Sequence, residues 1–170
     1  MSAQPKCACA QSIPTELKFA FQPIVDDRSK TVFAHEALVR GPEGQGAGAV
    51  LSEIGEEHLH AFDRQCRIGA VKAAARLMGE AGPLLSLNTM PNAVYDPATC
   101  LRTTIAAAEA ANFPIERIMF EMTEHEAIED LDHFLMILKS YKEMGFTVAI
   151  DDFGAGSSGL TLFASVLPDI

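Results

Sequence analysis

The stretch Thr147-Val148-Ala149-Ile150-Asp151-Asp152 decides the fold class of this chain. Its apolar, β-branched run is typical of a buried strand, and it ends in two carboxylates, which are costly to bury unless they are solvated, paired or bound to a cation. Three other segments share this plan of an apolar run that ends in an oxygen-bearing side chain: Val32-Phe33-Ala34-His35-Glu36, Leu84-Leu85-Ser86-Leu87-Asn88 and Ile118-Met119-Phe120-Glu121. The four run ends therefore predict one shared site at the mouth of a parallel α/β barrel.

The segments between these runs predict the order of strands and helices. Helical patterns over His58–Gly79 and Pro97–Ala111 lie between predicted strands, and this alternation predicts parallel strands joined by right-handed crossovers. Only the short segment Asp26–Lys30 separates the predicted strands Leu17–Val25 and Thr31–Val39. Because such a link is too short for a crossover helix, we expect these first two strands to be antiparallel neighbours.

Composition and charge exclude several classes of protein. With 170 residues, of which 48% are hydrophobic, the chain suits one domain with a substantial core. A net charge of −10 argues against a groove for duplex nucleic acid, which needs a positive footprint. No apolar run is long enough to cross a bilayer, and the first residues do not form a secretory signal. We therefore expect a cytoplasmic protein without a membrane segment.

The predicted site offers oxygen ligands and neither histidine nor thiolate. Glu36, Asn88, Glu121, Asp151 and Asp152 are the candidates, and such a set favours Mg²⁺, Mn²⁺ or Ca²⁺ over zinc or copper. Several carboxylates close together would repel one another without a cation. One or two divalent ions at such a site could serve phosphodiester hydrolysis. The alternative is that each residue merely ends a strand or caps a loop.

Two further polar residues are candidates for contacts with a phosphate-bearing substrate. Arg40 follows Glu36 by four positions on the same predicted strand and could hold a phosphate in bidentate fashion; a surface ion pair is the alternative. Gln22 is polar within an otherwise apolar strand and needs a hydrogen-bond partner, for which a ligand is one candidate.

Five motifs in order make the sequence resemble the EAL domain family, the cyclic di-GMP phosphodiesterases. The segment Glu36-Ala37-Leu38-Val39-Arg40 is similar to the motif that names the family. The other four are Phe21-Gln22-Pro23-Ile24, Leu87-Asn88 with Pro91, Phe120-Glu121-Met122-Thr123-Glu124, and Asp151-Asp152-Phe153-Gly154-Ala155-Gly156-Ser157-Ser158. The resemblance runs from about residue 17 to the end of the chain.

The resemblance implies a fold, a reaction and a set of site residues. The fold is a modified TIM barrel with one antiparallel strand, and the reaction is hydrolysis of cyclic di-GMP to linear pGpG with Mg²⁺ or Mn²⁺, Ca²⁺ being a non-productive substitute. It implies dimerisation through the domain. The implied catalytic residues Glu36, Glu121, Asp151 and Asp152 are also metal ligands together with Asn88, the implied substrate contacts are Gln22, Leu38 and Arg40, and Glu124 supports the loop after Asp152.

The resemblance also predicts that the chain is part of a longer protein. The chain supplies about five strands of the eight in such a barrel, and the family continues with a lysine, a glutamate and a glutamine that have no counterpart here. We therefore expect the chain alone to be inactive. A partial barrel completed by a partner or by strand swapping is the alternative, and so is a non-catalytic module that binds cyclic di-GMP or a protein.

The remaining expectations concern domain limits and cysteines. Residues 1–16 are predicted to form a flexible leader and residues 17–170 the N-terminal part of the barrel. Cys66 and Cys100 lie in helical patterns and should be buried, reduced thiols. Cys7 and Cys9 form a C-x-C pair in the leader, which is weak evidence for a metal or redox role.

Overall fold

A computed structural model describes residues 13, 16–79, 81–90, 94, 96–123, 131–151 and 169–170. Cys7, Cys9, Glu124 and Asp152 lie outside the described residues, as does most of the predicted leader. Ile13, which falls within that leader, is buried against α-helical residues, and its backbone N–H donates a hydrogen bond to Gln65 Oε1 at 3.2 Å.

The described residues form five strands and four helices, joined in places by single turns of 3-10 helix. The strands are β1 (Lys18–Asp26), β2 (Thr31–Arg40), β3 (Leu84–Asn88), β4 (Ile118–Thr123) and β5 (Thr147–Asp151). The helices are α1 (Ala47–Ser52), α2 (Leu59–Leu77), α3 (Pro97–Ala110) and α4 (Leu131–Glu143). None of the helices in the described part of the chain has the length and apolar content needed to cross a membrane.

The first two strands form the predicted antiparallel hairpin. Its turn is closed by Asp26, whose carboxylate accepts hydrogen bonds from the backbone N–H of Arg28 at 2.9 Å and from Ser29 Oγ at 2.7 Å. Lys30 takes a left-handed φ of 57° just before β2 begins. Because side-chain acceptors stabilise a tight reversal, the sequence of this turn fixes the pairing of β1 with β2.

All five strands belong to one sheet in the order β1-β2-β3-β4-β5. The pairs β2–β3, β3–β4 and β4–β5 are parallel, and only β1–β2 is antiparallel. The expected α/β fold, with one antiparallel strand in an otherwise parallel sheet, is thus confirmed. The strand order follows the chain order, as expected when each crossover helix returns the chain to the next position in the sheet.

The two faces of the sheet have different roles. On the helix-covered face, residues such as Leu85, Leu87 and Phe120 are almost fully buried and pack with α2, α3 and α4 in the main core. Tyr141 of α4 meets Phe120 there, with ring centroids 4.7 Å apart. The other face, here called the inner face, carries the alternate side chains of the strands, and these include Glu36 and Glu121.

A buried ion pair lies between the helices of the covered face. Arg67 of α2 contacts Asp63, one turn earlier, through Nε at 3.0 Å and a second nitrogen at 2.8 Å, and both residues are about 95% buried. Arg67 also donates to the Cys100 carbonyl and to Thr104 Oγ1 of α3, at 3.3 and 3.2 Å. This arrangement ties α2 to α3 by satisfied polar contacts.

The two cysteines of the helical segments were predicted to be buried, reduced thiols. Cys66 and Cys100 are both free, with Cys100 buried and Cys66 partly so. Burial, with a further contribution from Asp63, raises the pKa of the Cys66 thiol to about 12. Cys66 therefore stays protonated at neutral pH and behaves as a small apolar side chain.

Candidate metal and substrate site

The register of the parallel strands brings three of the predicted ligands together. Glu36 of β2 lies opposite Ser86 of β3, and Asn88 of β3 lies opposite Glu121 of β4. Ser86 and Asn88 are two positions apart, so their side chains point to the same face of the sheet. Glu36, Asn88 and Glu121 consequently share the inner face close to the carboxyl ends of their strands, where parallel α/β barrels hold their functional groups.

Asp151 joins this group from the next strand. Ala149 lies opposite Glu121 in the β4–β5 pairing, and Asp151 is two residues further, on the same inner face at the end of β5. Its charge reaches Glu121, because Asp151 is among the groups that raise the pKa of the Glu121 carboxyl. The fifth predicted ligand, Asp152, lies outside the described residues, so its assignment stays a prediction.

One direct hydrogen bond links two of the predicted ligands. Asn88 Nδ2 donates to Glu36 Oε1 at 2.7 Å, across neighbouring strands. The bond orients the amide of Asn88 so that its nitrogen serves Glu36 and its carbonyl oxygen stays available as an acceptor. Asn88 is exposed and Glu36 partly buried, which places this pair at the rim of the inner face and open to a ligand.

Glu121 is the buried centre of the acidic group, with only 7% of its surface exposed. Burial raises the pKa of its carboxyl group, and the carboxylates of Glu36 and Asp151 raise it further, whereas the Ser86 hydroxyl lowers it. Ser86 Oγ is itself buried and makes no hydrogen bond of standard geometry with the described residues. The site thus concentrates negative charge that a nearby cation would stabilise.

The donor set fits a hard divalent cation. Three carboxylates and one amide oxygen are ligands that Mg²⁺, Mn²⁺ and Ca²⁺ prefer, and a cation would relieve the repulsion that raises the pKa of Glu121. Within the described part of the chain, no group of three or more Asp, Glu, His or Cys side chains is arranged so that it could hold a metal ion. A metal here would accordingly need Asn88 or further oxygen donors beside the carboxylates.

The three predicted substrate contacts lie along the hairpin beside this group. Gln22 of β1 is exposed and lies directly opposite Glu36 in the β1–β2 pairing. Leu38 and Arg40 follow Glu36 at alternate positions of β2, so all three share the inner face. Arg40 Nη1 donates to the carbonyl of Val39 at 2.8 Å. Glu124, the predicted loop support, lies outside the described residues.

Sequence reasoning missed Ser86 as a member of the site. It is fully buried in the middle of β3 and is one of the groups that set the pKa of Glu121. The signal was present in the sequence, because Ser86 is polar between the apolar residues Leu85 and Leu87 and lies two positions before Asn88. A polar residue at that spacing shares the face of the ligand that follows it.

The family of the chain follows from its match over nearly the whole length. The EAL domain family matches residues 8–170. The chain belongs to the EAL domain family. The expectation drawn from the five motifs is thereby confirmed, and Glu36, Asn88, Glu121 and Asp151 of the inner-face group each come from one of those motifs.

Known proteins resemble the chain in sequence and in fold. The blue light- and temperature-regulated antirepressor BluF of Escherichia coli K12 is 31% identical over 163 residues, which cover 95% of this chain and 40% of BluF. A standalone EAL protein of Vibrio cholerae O395, solved in its c-di-GMP-bound form, is 48% identical with a TM-score of 0.82, covering 90% of this chain and 64% of that protein.

A third similar protein was solved with both a metal and the dinucleotide. Klebsiella pneumoniae BlrP1 in its manganese and cyclic di-GMP complex is 32% identical with a TM-score of 0.81, over 94% of this chain and 41% of BlrP1. BlrP1 was also solved with calcium and cyclic di-GMP. Divalent ions therefore accompany the dinucleotide in related EAL structures. The chain spans less than two thirds of each of these three proteins.

Proposed function

We propose that this EAL domain serves metal-dependent hydrolysis of cyclic di-GMP to linear pGpG. The observation that carries the proposal is the convergence of Glu36, Asn88, Glu121 and Asp151 on one face at the strand ends, with the pKa of Glu121 raised by burial and by two neighbouring carboxylates. A carboxylate that merely ends a strand needs no neighbouring carboxylates. A cation that contacts a phosphodiester, in contrast, needs several oxygen ligands.

The acidic residues would hold the metal in this proposal. Glu36, Asn88, Glu121 and Asp151 would provide its oxygen ligands, and Asp152 those of a second ion. A bound Mg²⁺ or Mn²⁺ would supply Lewis acidity to the phosphate and lower the pKa of a bound water. The hydrogen bond from Asn88 to Glu36 would hold both ligands in orientation, as outer contacts of metal ligands generally do.

The β1–β2 hairpin would position the dinucleotide. Arg40 follows Glu36 by four positions on β2, and its planar guanidinium donors match the oxygens of a phosphate diester. Gln22, opposite Glu36, offers both a donor and an acceptor to a base or sugar. Leu38 provides an apolar contact between them. Together these residues would place the scissile phosphate against the acidic group rather than leave it to diffuse across the face.

A second candidate function is a non-catalytic module that binds cyclic di-GMP or a protein partner. The observation that favours it is the similarity to BluF, which is described as an antirepressor. Retention of every oxygen ligand in the described residues favours the hydrolase, because a module that only binds has less need of a metal group. The two candidates differ in whether pGpG is formed, since both allow binding of the dinucleotide.

The decisive experiment measures binding and product with the purified full-length protein that carries this domain, because we expect the chain alone to be inactive. Cyclic di-GMP is incubated with Mn²⁺ or Mg²⁺ and pGpG is followed by chromatography, while calorimetry measures binding with Ca²⁺. We expect pGpG to form with either ion and Glu36→Ala to abolish it. Asp27→Ala, which removes an exposed acid at the other end of the hairpin, is the matched control and should keep full activity.

The outcomes separate the candidates. Binding without pGpG would reject the hydrolase and support the non-catalytic module. Full activity in Glu36→Ala would reject the metal assignment, and absence of binding by a folded protein would reject both functions.

A further inference from the structure

Ser86 lies in a row of side chains that crosses the inner face of the sheet, one layer below the strand ends. The pairing of neighbouring strands places four residues side by side in this row: Glu36, Ser86, Met119 and Thr147. Glu121 is two residues beyond Met119 on β4, so it shares the inner face and stands in the next layer towards the strand ends. Ser86 therefore has one predicted metal ligand beside it and another diagonally above it.

The hydroxyl group of Ser86 is buried and makes no hydrogen bond of standard geometry. The residue is 0% exposed, and its Oγ atom has no hydrogen-bond partner among the described residues. Buried polar atoms of native proteins are nearly always paired, and one that lacks a standard partner needs an explanation. An alanine would fill almost the same space without a polar atom to satisfy, so packing alone does not explain a hydroxyl at this position.

Glu121 is the acceptor that fits this hydroxyl best. Met119, on one side of Ser86, offers only a weak thioether acceptor, and Glu36, on the other side, already accepts a hydrogen bond from Asn88 at 2.7 Å. The Ser86 hydroxyl is close enough to Glu121 to lower the pKa of that carboxyl group. Since a hydroxyl hydrogen turns to suit its acceptor, a small rotation of either side chain would complete the bond.

We propose that Ser86 is a positioning residue, which donates its hydroxyl hydrogen to one oxygen of Glu121 and so directs the other oxygen towards a divalent cation. The inference rests on the proposed function for the presence of that cation. Asn88 holds Glu36 in the same manner, so two neutral donors of β3 would orient the two glutamates of the neighbouring strands. A neutral donor orients a carboxylate without cancelling the charge that attracts the cation.

Binding of Mn²⁺ tests this role, measured by calorimetric titration of the full-length protein after removal of metal with EDTA. Ser86→Ala should weaken Mn²⁺ binding about tenfold, because loss of a group that orients a metal ligand commonly has an effect of this size. Thr147→Val is the matched control. It removes a hydroxyl from the same row of the inner face, and it should leave the Mn²⁺ affinity unchanged. Circular dichroism melts in EDTA establish that both variants fold.

A double-mutant cycle tests whether Ser86 acts through Glu121. Glu121→Ala removes the proposed acceptor, so adding Ser86→Ala to that variant should change the Mn²⁺ affinity by less than about twofold, as expected for two residues that act as a unit. Ser86→Thr keeps a hydroxyl on a side chain that suits a strand and should bind Mn²⁺ more tightly than Ser86→Ala. The cycle decides the question if threonine proves too large for this buried position.

Metal binding and hydrolysis are measured separately, so this inference and the proposed function fail in different ways. An Mn²⁺ affinity that Ser86→Ala left unchanged, that Thr147→Val lowered equally, or that Ser86→Ala lowered just as much without the Glu121 carboxylate would overturn the role of Ser86, whether or not pGpG is formed. Absence of pGpG from a protein that binds Mn²⁺ would reject the hydrolase, and a tenfold loss confined to Ser86→Ala would still support the positioning role.

Discussion

Two groups of buried charge lie on opposite faces of the same sheet, and they are compensated in different ways. On the helix-covered face, Asp63 and Arg67 neutralise each other at 2.8 and 3.0 Å, and Arg67 completes its hydrogen bonds on α3. On the inner face, Glu121 is nearly as buried, yet its described charged neighbours Glu36 and Asp151 are also carboxylates.

The comparison shows which buried charge is compensated by other residues of the described chain. Burial opposes the charged form of Arg67, but Asp63 and other neighbours keep the pKa of Arg67 above its ordinary value. Burial and the neighbouring carboxylates act together on Glu121, and both raise its pKa. An ion pair whose two charges compensate each other within the protein contributes to the structure. Several carboxylates close together repel one another, and a bound cation would compensate them.

The largest expected effect comes from removing one partner of the Asp63–Arg67 ion pair. Arg67→Met should lower the free energy of unfolding by about 3–5 kcal/mol, because it leaves Asp63 buried and uncompensated. Urea unfolding measures the loss. Arg76→Met, at an exposed position of α2, is the control and should change the free energy by no more than about 0.5 kcal/mol.

A double variant sharpens this test. Asp63→Leu combined with Arg67→Met replaces both charges by apolar groups and should recover most of the lost stability, because removal of a whole buried pair is often neutral. If Arg67→Met alone were as stable as the unmodified protein, Asp63 would not be held as a buried charge.

The second-largest effect is expected at the acidic group of the inner face. Glu121→Gln should weaken Mn²⁺ binding at least about tenfold, since the amide removes the central charge from the oxygen ligand set. Calorimetric titration of protein freed of metal by EDTA measures the constant. Glu116→Gln, an exposed position just before β4, is the matched control. Unfolding in EDTA gives a second measurement, in which Glu121→Gln should be at least as stable as the unmodified protein because a buried repulsion is gone. Unchanged Mn²⁺ affinity would remove Glu121 from the site.

The smallest effect is expected at a carboxylate that is solvated and paired only with neutral groups. Hydrogen bonds from the Ser29 hydroxyl and from the backbone of Arg28 lower the pKa of Asp26 below its ordinary value. A lowered pKa in the folded state stabilises the protein above the ordinary value, and this contribution is lost as the pH falls through the lowered one. Asp26→Asn should therefore lower the urea midpoint slightly at neutral pH and not at about pH 2. Glu43→Gln, in an exposed loop, is the control, and a difference for Asp26→Asn that persisted in acid would contradict the argument.

Local patterns account for most of what the sequence predicted correctly. The run Leu84–Asn88 is a strand with those bounds, and the helix predicted from Pro97 begins there. The antiparallel hairpin followed from the length of its link. Such features depend on neighbours in the chain, so composition and spacing carry them. The bounds of the leader stay a prediction, and the hydrogen bond between Ile13 and Gln65 of α2 joins residues far apart in the sequence.

The sequence by itself determined that strands end in oxygen-bearing side chains and that the chain resembles the EAL domain family. Only the tertiary structure decided that Asn88 hydrogen-bonds Glu36, that Ser86 faces Glu121, and that Asp63 pairs with Arg67 beside an apolar cavity. The physical reason is that the spacing of side chains along a strand or helix is a local property. The burial of a side chain and the charge of its neighbours depend instead on strand register and helix packing between distant segments.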